Sequence, residues 1–388
     1  MKKCLQIFVE FLMTVMSCGG LFADVSFSVR DVEAHQRYPW NGKVDIDFTL
    51  ESDDPNDRVR VWFECADNVE NTNIVMKSIR YNDTGTVATA FVLLKGRHRI
   101  TWDADVDVPN MKIPSVSFTA IVESDSAVYL VIDLSGGPDA SSYPVTALTD
   151  IPSGGWTDEY KTTKLVLRRC PAGDDPLGRY TLTKDFYAGI FEVTHRQWYL
   201  VMGTSPSYWQ GDTLPIEWVS YNMIRGSSTG ANWPSSSAVD STSFIGKLRT
   251  KTGLAELDLP TEAQWEYACR AGTTTTYNTG DDESALANAG WYAANSSYTT
   301  YAVGLKTANA WGLYDMHGNV WEWCLDWYDS YHSLTGSNPV GPVAGSHRRM
   351  RGGSWLCDAS RAASSYRYGG NPSDVYSYYG FRLFSTVP

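Results

Sequence analysis

WGLYDMHGNVWEWCLDWY, residues 311–328, sets four tryptophans, two tyrosines and two glycines within eighteen positions. The chain around it, from about 161 to 384, is similar in character: aromatic residues and glycines are frequent and long periodic segments are few. Such a composition implies a compact domain held together by loops packed on tryptophans. Helices are expected at three places. Thr194 opens a capping box with Gln197, with Val193 and Trp198 placed as a hydrophobic staple and Gly203 at the helix end. Thr261 repeats the device with Gln264, followed by the apolar stripe Trp265, Ala268 and Cys269 before Gly272. A weaker helix spans about Thr242 to Lys251.

Upstream the pattern changes to short alternating runs: VSFSVRDV, KVDIDFTL, RVRVWFECA, ATAFVLL, HRITWDA and SVSFTAIV. Turn residues such as Pro39, Asn41-Gly42 and Gly96 bound them. An all-β sandwich over 24–134 is predicted, closing on the strand-like VYLVIDL. A tract rich in Gly, Ser and Pro begins at Ser135 and reads as a linker, 135–160, before a second domain over 161–388. At the start, Lys2 and Lys3 precede an apolar run from Leu5 to Met16 and small residues ending at Ala23, so 1–23 reads as an export signal. Lipid attachment at Cys18 is the alternative reading, and the route by which a membrane would enter. The expected location is therefore secreted or cell envelope.

The 32 basic against 44 acidic residues give a net charge of −12. That balance repels phosphate backbones, so nucleic acid is not an expected partner. Beyond the export signal the cysteines are Cys65, Cys170, Cys269, Cys324 and Cys357, an odd number that leaves at least one thiol outside any intrachain disulfide. Cys269 and Cys324 read as buried thiols or a structural disulfide. The six histidines show neither HExxH nor HxxxH spacing, and there is no Cys-x-x-Cys pair, no G-x-S-x-G elbow and no phosphate-binding glycine loop.

The ordered motifs DFYAGIFEVTHRQW, PIEWVSYN, LPTEAQWEYACRAG, WGLYDMHGNVWEWCLDWY, RRMRGGSW and GFRLF resemble those of the formylglycine-generating enzyme family, also called sulfatase-modifying factors. The resemblance covers roughly Lys161 to Phe384. It implies the family's α+β, C-type-lectin-like fold. Oxidases of the family use two cysteines to hold copper(I) and convert a substrate cysteine to formylglycine. Soft thiolates suit Cu(I), and two can bind it linearly. The first of those positions falls here on Cys357 and the second on Ala362, so one thiolate is missing. Ser354 and Trp321 match positions lining that active site. The reading favours a noncatalytic member, with a one-cysteine oxidase using Cys357 and Ser354 as the alternative. Cys357 otherwise reads as a partly exposed residue of a permissive loop. The family also places a calcium ion in the turn where Asp315 and Glu322 side chains and the Gly318 and Val320 carbonyls would supply hard oxygen ligands.

Between RGGSW and GFR, Leu356 to Tyr379 holds five tyrosines and five serines in 24 residues, and no Lys, Glu, Gln, Met or Trp. Tyrosine offers large contact area at low entropy cost and Ser, Gly and Asn adapt, which is the profile of a paratope. The segment resembles the variable region of proteins diversified by retroelements, in which adenine mutation of asparagine codons yields this residue set and never the five absent types. An ordinary Tyr-rich surface loop is the other reading. Asp358, Tyr366, Tyr368, Asp374, Tyr376, Tyr378 and Tyr379 are the expected contacts for a protein or cell-surface ligand, with the tyrosine rings exposed on one face.

Overall fold

The computed structural model describes residues 14–15, 27–37, 42–52, 59–67, 72–74, 76–81, 91–93, 96–108, 116–124, 127–329 and 334–386. Of the expected export signal only Thr14–Val15 is among them, as a short strand beside Ile121–Val122; Cys18 lies outside the described residues. The chain divides into two compact units, Met1–Ser126 and Ala127–Pro388.

The first unit is a sandwich, as the alternating runs imply. One sheet orders Phe27–Gln36, Lys43–Ser52, Gly96–Asp103 and Ile79–Tyr81; the other is built on Val59–Asp67 paired with Val116–Ser124. Alternate residues of Lys43–Ser52 point inward, so that Val44, Ile46, Phe48 and Leu50 share a core with Val61, Phe63 and Cys65 of the second sheet. Phe48 meets Phe63 edge-on at 5.1 Å between ring centroids.

The second unit begins earlier than the sequence implies. Tyr129–Asp133, expected to close the sandwich, is instead the second strand of a six-stranded sheet, between Val145–Leu148 and Lys164–Cys170. The expected linker thus contains a strand, and the helix Glu159–Thr162 begins at its end. Its Gly, Ser and Pro residues make turns between elements that pair. The sheet continues through Phe186–Gly189 and Phe384–Thr386 to Leu257–Asp258, every pairing antiparallel. Helices His195–Met202 and Glu262–Arg270 start on the two expected capping boxes, both fully formed. Phe244–Thr252 is capped by Ser243, and Tyr221–Arg225 and Glu283–Ala289 are short helices that the pattern did not signal.

A second sheet carries the candidate site. Its order is Tyr368–Gly370, Arg348–Arg351, Trp321–Trp327, Tyr379–Gly380. The quoted WEWCLDW is therefore a central strand, buried along nearly its whole length. Among the described residues no helix is long and apolar enough to cross a membrane.

Candidate functional site

The bracketing motifs fix the ends of the Leu356–Tyr379 stretch from within the core. Gly352 and Gly353 both hold a positive φ, and a Cβ on Gly353 would lie 2.9 Å from the Ala362 Cα, so this turn needs glycine. Arg351 is fully buried and donates to Glu266 at 2.5 Å and to the Ser364 carbonyl at 2.9 Å. At the other end Phe381 packs against Phe244 and Trp198. Midway, the strand Tyr368–Gly370 pairs with Arg348–Met350, and Arg367 closes on buried Glu262 with two hydrogen bonds of 2.7 and 2.5 Å. Gly370 is tight as well, since a Cβ there would meet the Trp323 ring at 2.7 Å. Glycines expected to adapt to a ligand are instead packing residues.

The tyrosines form one aromatic cluster, but not one exposed face. Tyr376 stacks on Tyr378 at 5.1 Å, and both meet Tyr379 edge-on at 5.0 Å. Tyr368 stacks on Trp321 at 5.0 Å, Tyr366 lies 5.9 Å from that ring, and Tyr378 lies 6.4 Å from Trp355. Tyr376 is 43 % exposed and Tyr379 only 2 %. Tyr366, Tyr368 and Tyr378 are half-buried. Tyr379 is core because its strand lies beside Trp321. Asp358 is exposed; Asp374 is half-buried and accepts the Asn371 amide.

Cys357 sits beneath this cluster rather than in an open loop. It is 7 % exposed and belongs to the apolar core with Trp321 and Tyr379. Its Sγ lies 3.3 Å from the Ser354 Oγ. Burial pushes the thiol above its ordinary pKa, the opposite of what a thiolate metal ligand or nucleophile needs. Ala362 is fully buried against Tyr277 and Leu286. The two positions therefore do not fit a two-thiolate copper site. Cys269 and Cys324 are buried and outside any disulfide, so they are core thiols.

In the 315–322 turn, where calcium is expected, both carboxylates have protein partners. Both oxygens of Glu322 accept from Arg382, at 2.7 to 2.9 Å, and Oε2 accepts the Trp265 indole N–H at 2.7 Å. The Val320 amide donates to Glu192 and the Gly318 amide to the Gly352 carbonyl. Asp315 accepts the Gly304 amide through Oδ2, while its Oδ1 has no partner among the described residues, and burial raises its carboxyl to about 6. Asp315 and Glu322 thus have different protein partners, and the Glu322 carboxylate is matched by the Arg382 guanidinium.

Flanking segments supply site residues that sequence reasoning missed. Trp218, at φ 60°, donates its amide to the Tyr376 carbonyl at 3.0 Å and keeps its ring 43 % exposed. Tyr208 packs edge-on against Trp209, which in turn meets Trp355. Beneath them Glu217 is fully buried; its Oε1 accepts the Trp209 amide and lies 4.0 Å from the His195 Nε2. Burial raises the Glu217 carboxyl to about 7 and lowers His195 to about 4. The sequence signal was a Tyr-Trp pair in the Ser-, Pro- and Gly-bearing loop 203–213, without a period to place it.

A model of the sulfatase-modifying factor enzyme 1-like domain matches residues 151–387. The chain is 32 % identical over 214 residues to the chaperone protein LppX of Paenibacillus barcinonensis, covering 47 % of this chain and 73 % of that one. It is 37 % identical over 133 residues to the serine/threonine-protein kinase pkn1 of Chlamydia pneumoniae, and 34 % over 143 residues to the formylglycine-generating enzyme of Mus musculus. These two alignments take in 33 % and 32 % of this chain but only 21 % and 38 % of the relatives. Treponema denticola variable protein 1 superposes with a TM-score of 0.49 at 26 % identity, over 57 % of this chain and 95 % of that one. With the family model covering more than half its length, the chain belongs to the sulfatase-modifying factor family.

Proposed function

We propose that this protein is a noncatalytic, exported binding protein that uses the family scaffold to present the Leu356–Tyr379 stretch to a protein or cell-surface ligand. The observation that carries the reading is Cys357: a buried, raised thiol with alanine at the second cysteine position, beneath a surface of Tyr376 and Tyr378. Chemistry is withdrawn where oxidases of the family place it. Contact-forming side chains stand there instead.

Two measurements test this. The double substitution Tyr376→Ser, Tyr378→Ser removes the exposed ring and the half-buried ring stacked on it while leaving the buried Tyr379. It should keep the thermal transition within a few degrees and lose the partners that wild type recovers from its native surroundings. Equal recovery by both proteins counts against the reading. The oxidase alternative draws on the 3.3 Å Ser354–Cys357 contact. It requires aldehyde product from a cysteine-bearing sulfatase-type peptide, above that of a Cys357→Ala control, and the expected yield is none.

A further inference from the structure

Three exposed aromatic side chains outside the Leu356–Tyr379 stretch border it. Tyr208 and Tyr298 are each 63 % exposed and Trp218 is 43 % exposed. Trp218 is tied to Tyr376 by its amide. Tyr298 is tied to the other end, since its amide donates to the Ser296 Oγ and that hydroxyl donates to the Trp355 carbonyl at 2.7 Å. Leu356, which follows Trp355, is itself 46 % exposed. Trp218 and Tyr298 both have positive φ, 60° and 58°. Bulky residues rarely adopt this conformation, and such strain persists only where the surroundings enforce it, often at ligand-binding positions. Here two residues at positive φ expose large rings to solvent, one tied to Tyr376 and the other to Trp355, whose indole in turn donates to the Ser377 carbonyl at 2.9 Å.

The exposed charge in the loop and on the helix packed against it is mostly of one sign. Asp358 and Asp374 lie in the loop. Asp281, Asp282 and Glu283 are exposed at the start of the Glu283–Ala289 helix, whose Leu286 packs on Ala359 and Ala362 of the same loop. Arg361 is an exposed cation there and sits 3.8 Å from Asp358; half-buried Lys306 donates to the Ala287 carbonyl of the same helix, and Arg367 is turned inward to Glu262. An aromatic surface with an acidic border favours cationic side chains, through ring-face attraction and opposite charge together.

From these observations we infer that the binding face is composite, joining the loop to fixed rings of Tyr208, Trp218 and Tyr298, and that it takes a protein segment bearing Lys or Arg among apolar residues. This rests on the proposed function, because it assumes that the loop is the contact surface.

The test uses the full chain and fluorescent dodecapeptides in which apolar residues alternate with Arg or Lys, with matched Glu/Asp and uncharged peptides and a neutral oligosaccharide as comparisons, read by anisotropy. Wild type should prefer the basic peptides, with affinity falling as salt rises. Trp218→Gly and Tyr298→Gly remove the rings while suiting a positive φ, so both should fold and each weaken binding by about tenfold. Asp358→Asn with Asp374→Asn should flatten the salt dependence. No preference for basic peptides, equal binding of the oligosaccharide, or unchanged affinity in both glycine variants overturns the inference. If the glycine variants bind normally while Tyr376→Ser, Tyr378→Ser does not, only the composite face fails. If that double variant also binds normally, the loop reading fails with it.

Discussion

Arg382 is fully buried, and its guanidinium meets Glu322 through three hydrogen bonds while donating also to the Gly189 and Tyr314 carbonyls. Removing one partner of such a pair strands the other charge in the core, at a cost of about 3–5 kcal/mol. Arg382→Met is therefore expected to lower unfolding free energy in urea by that amount, and added calcium should not restore it. A second residue-scale expectation concerns Glu217. Its folded pKa of about 7 lies above the ordinary 4.5, so the folded state holds the proton more tightly. Its contribution to stability is fully present below about pH 4.5 and falls as pH rises to about 7, where it levels off. His195, lowered to about 4, acts with the opposite slope between about 4 and 6.5. Glu217→Gln keeps His195 and removes only the falling branch, so calorimetry should show the variant gaining up to about 3 kcal/mol on wild type between pH 5 and 8. A constant difference would mean that Glu217 titrates normally. GFR is readable as scaffold, but the partner of Arg382 is not, because Glu322 lies 60 residues away and its acidic side chain reads from sequence as a calcium ligand.

Elements with local causes were the legible ones. The capping boxes at Thr194 and Thr261 need only four consecutive residues, and both formed as read. Thr261→Ala should cost about 1 kcal/mol, the usual worth of such a cap. Thr194→Ala should cost more, because the Thr194 hydroxyl also donates to the Lys161 carbonyl at 2.6 Å; a smaller loss at 194 than at 261 in thermal melts would contradict this. By contrast, the Tyr368–Gly370 and Tyr379–Gly380 strands are held by partners distant in sequence, at 348–350 and 321–322. Composition identified the loop's chemistry correctly as Tyr- and Ser-rich. It could not separate Tyr376, which faces solvent, from Tyr379, which pairs beside Trp321, because that difference is made by sheet register.

At the scale of the whole chain, the boundary between the two units is where sequence and structure part. A Gly-, Ser- and Pro-rich tract after VYLVIDL has the composition of a linker, yet Tyr129–Asp133 pairs on both edges within the second unit. Its side chains serve both faces of the sheet: Leu130 and Ile132 enter one core cluster, Tyr129 and Val131 the other. Burying an apolar side chain of this size contributes roughly 1.5–3 kcal/mol. Four such residues approach the entire 5–15 kcal/mol typical of a domain. A fragment of residues 127–388 should accordingly fold and unfold in one cooperative transition, since it keeps both clusters and every strand of the six-stranded sheet. A fragment starting at 161, where the family resemblance begins in the sequence, lacks Tyr129–Asp133 and Val145–Leu148 and leaves the edge of Lys164–Cys170 bare. It should be insoluble or lack a cooperative transition, and Leu130→Asp in the full chain should reproduce that loss in the second unit. If the 161–388 fragment melts cooperatively at the temperature of the 127–388 fragment, the strand is dispensable and the boundary belongs at 160 after all.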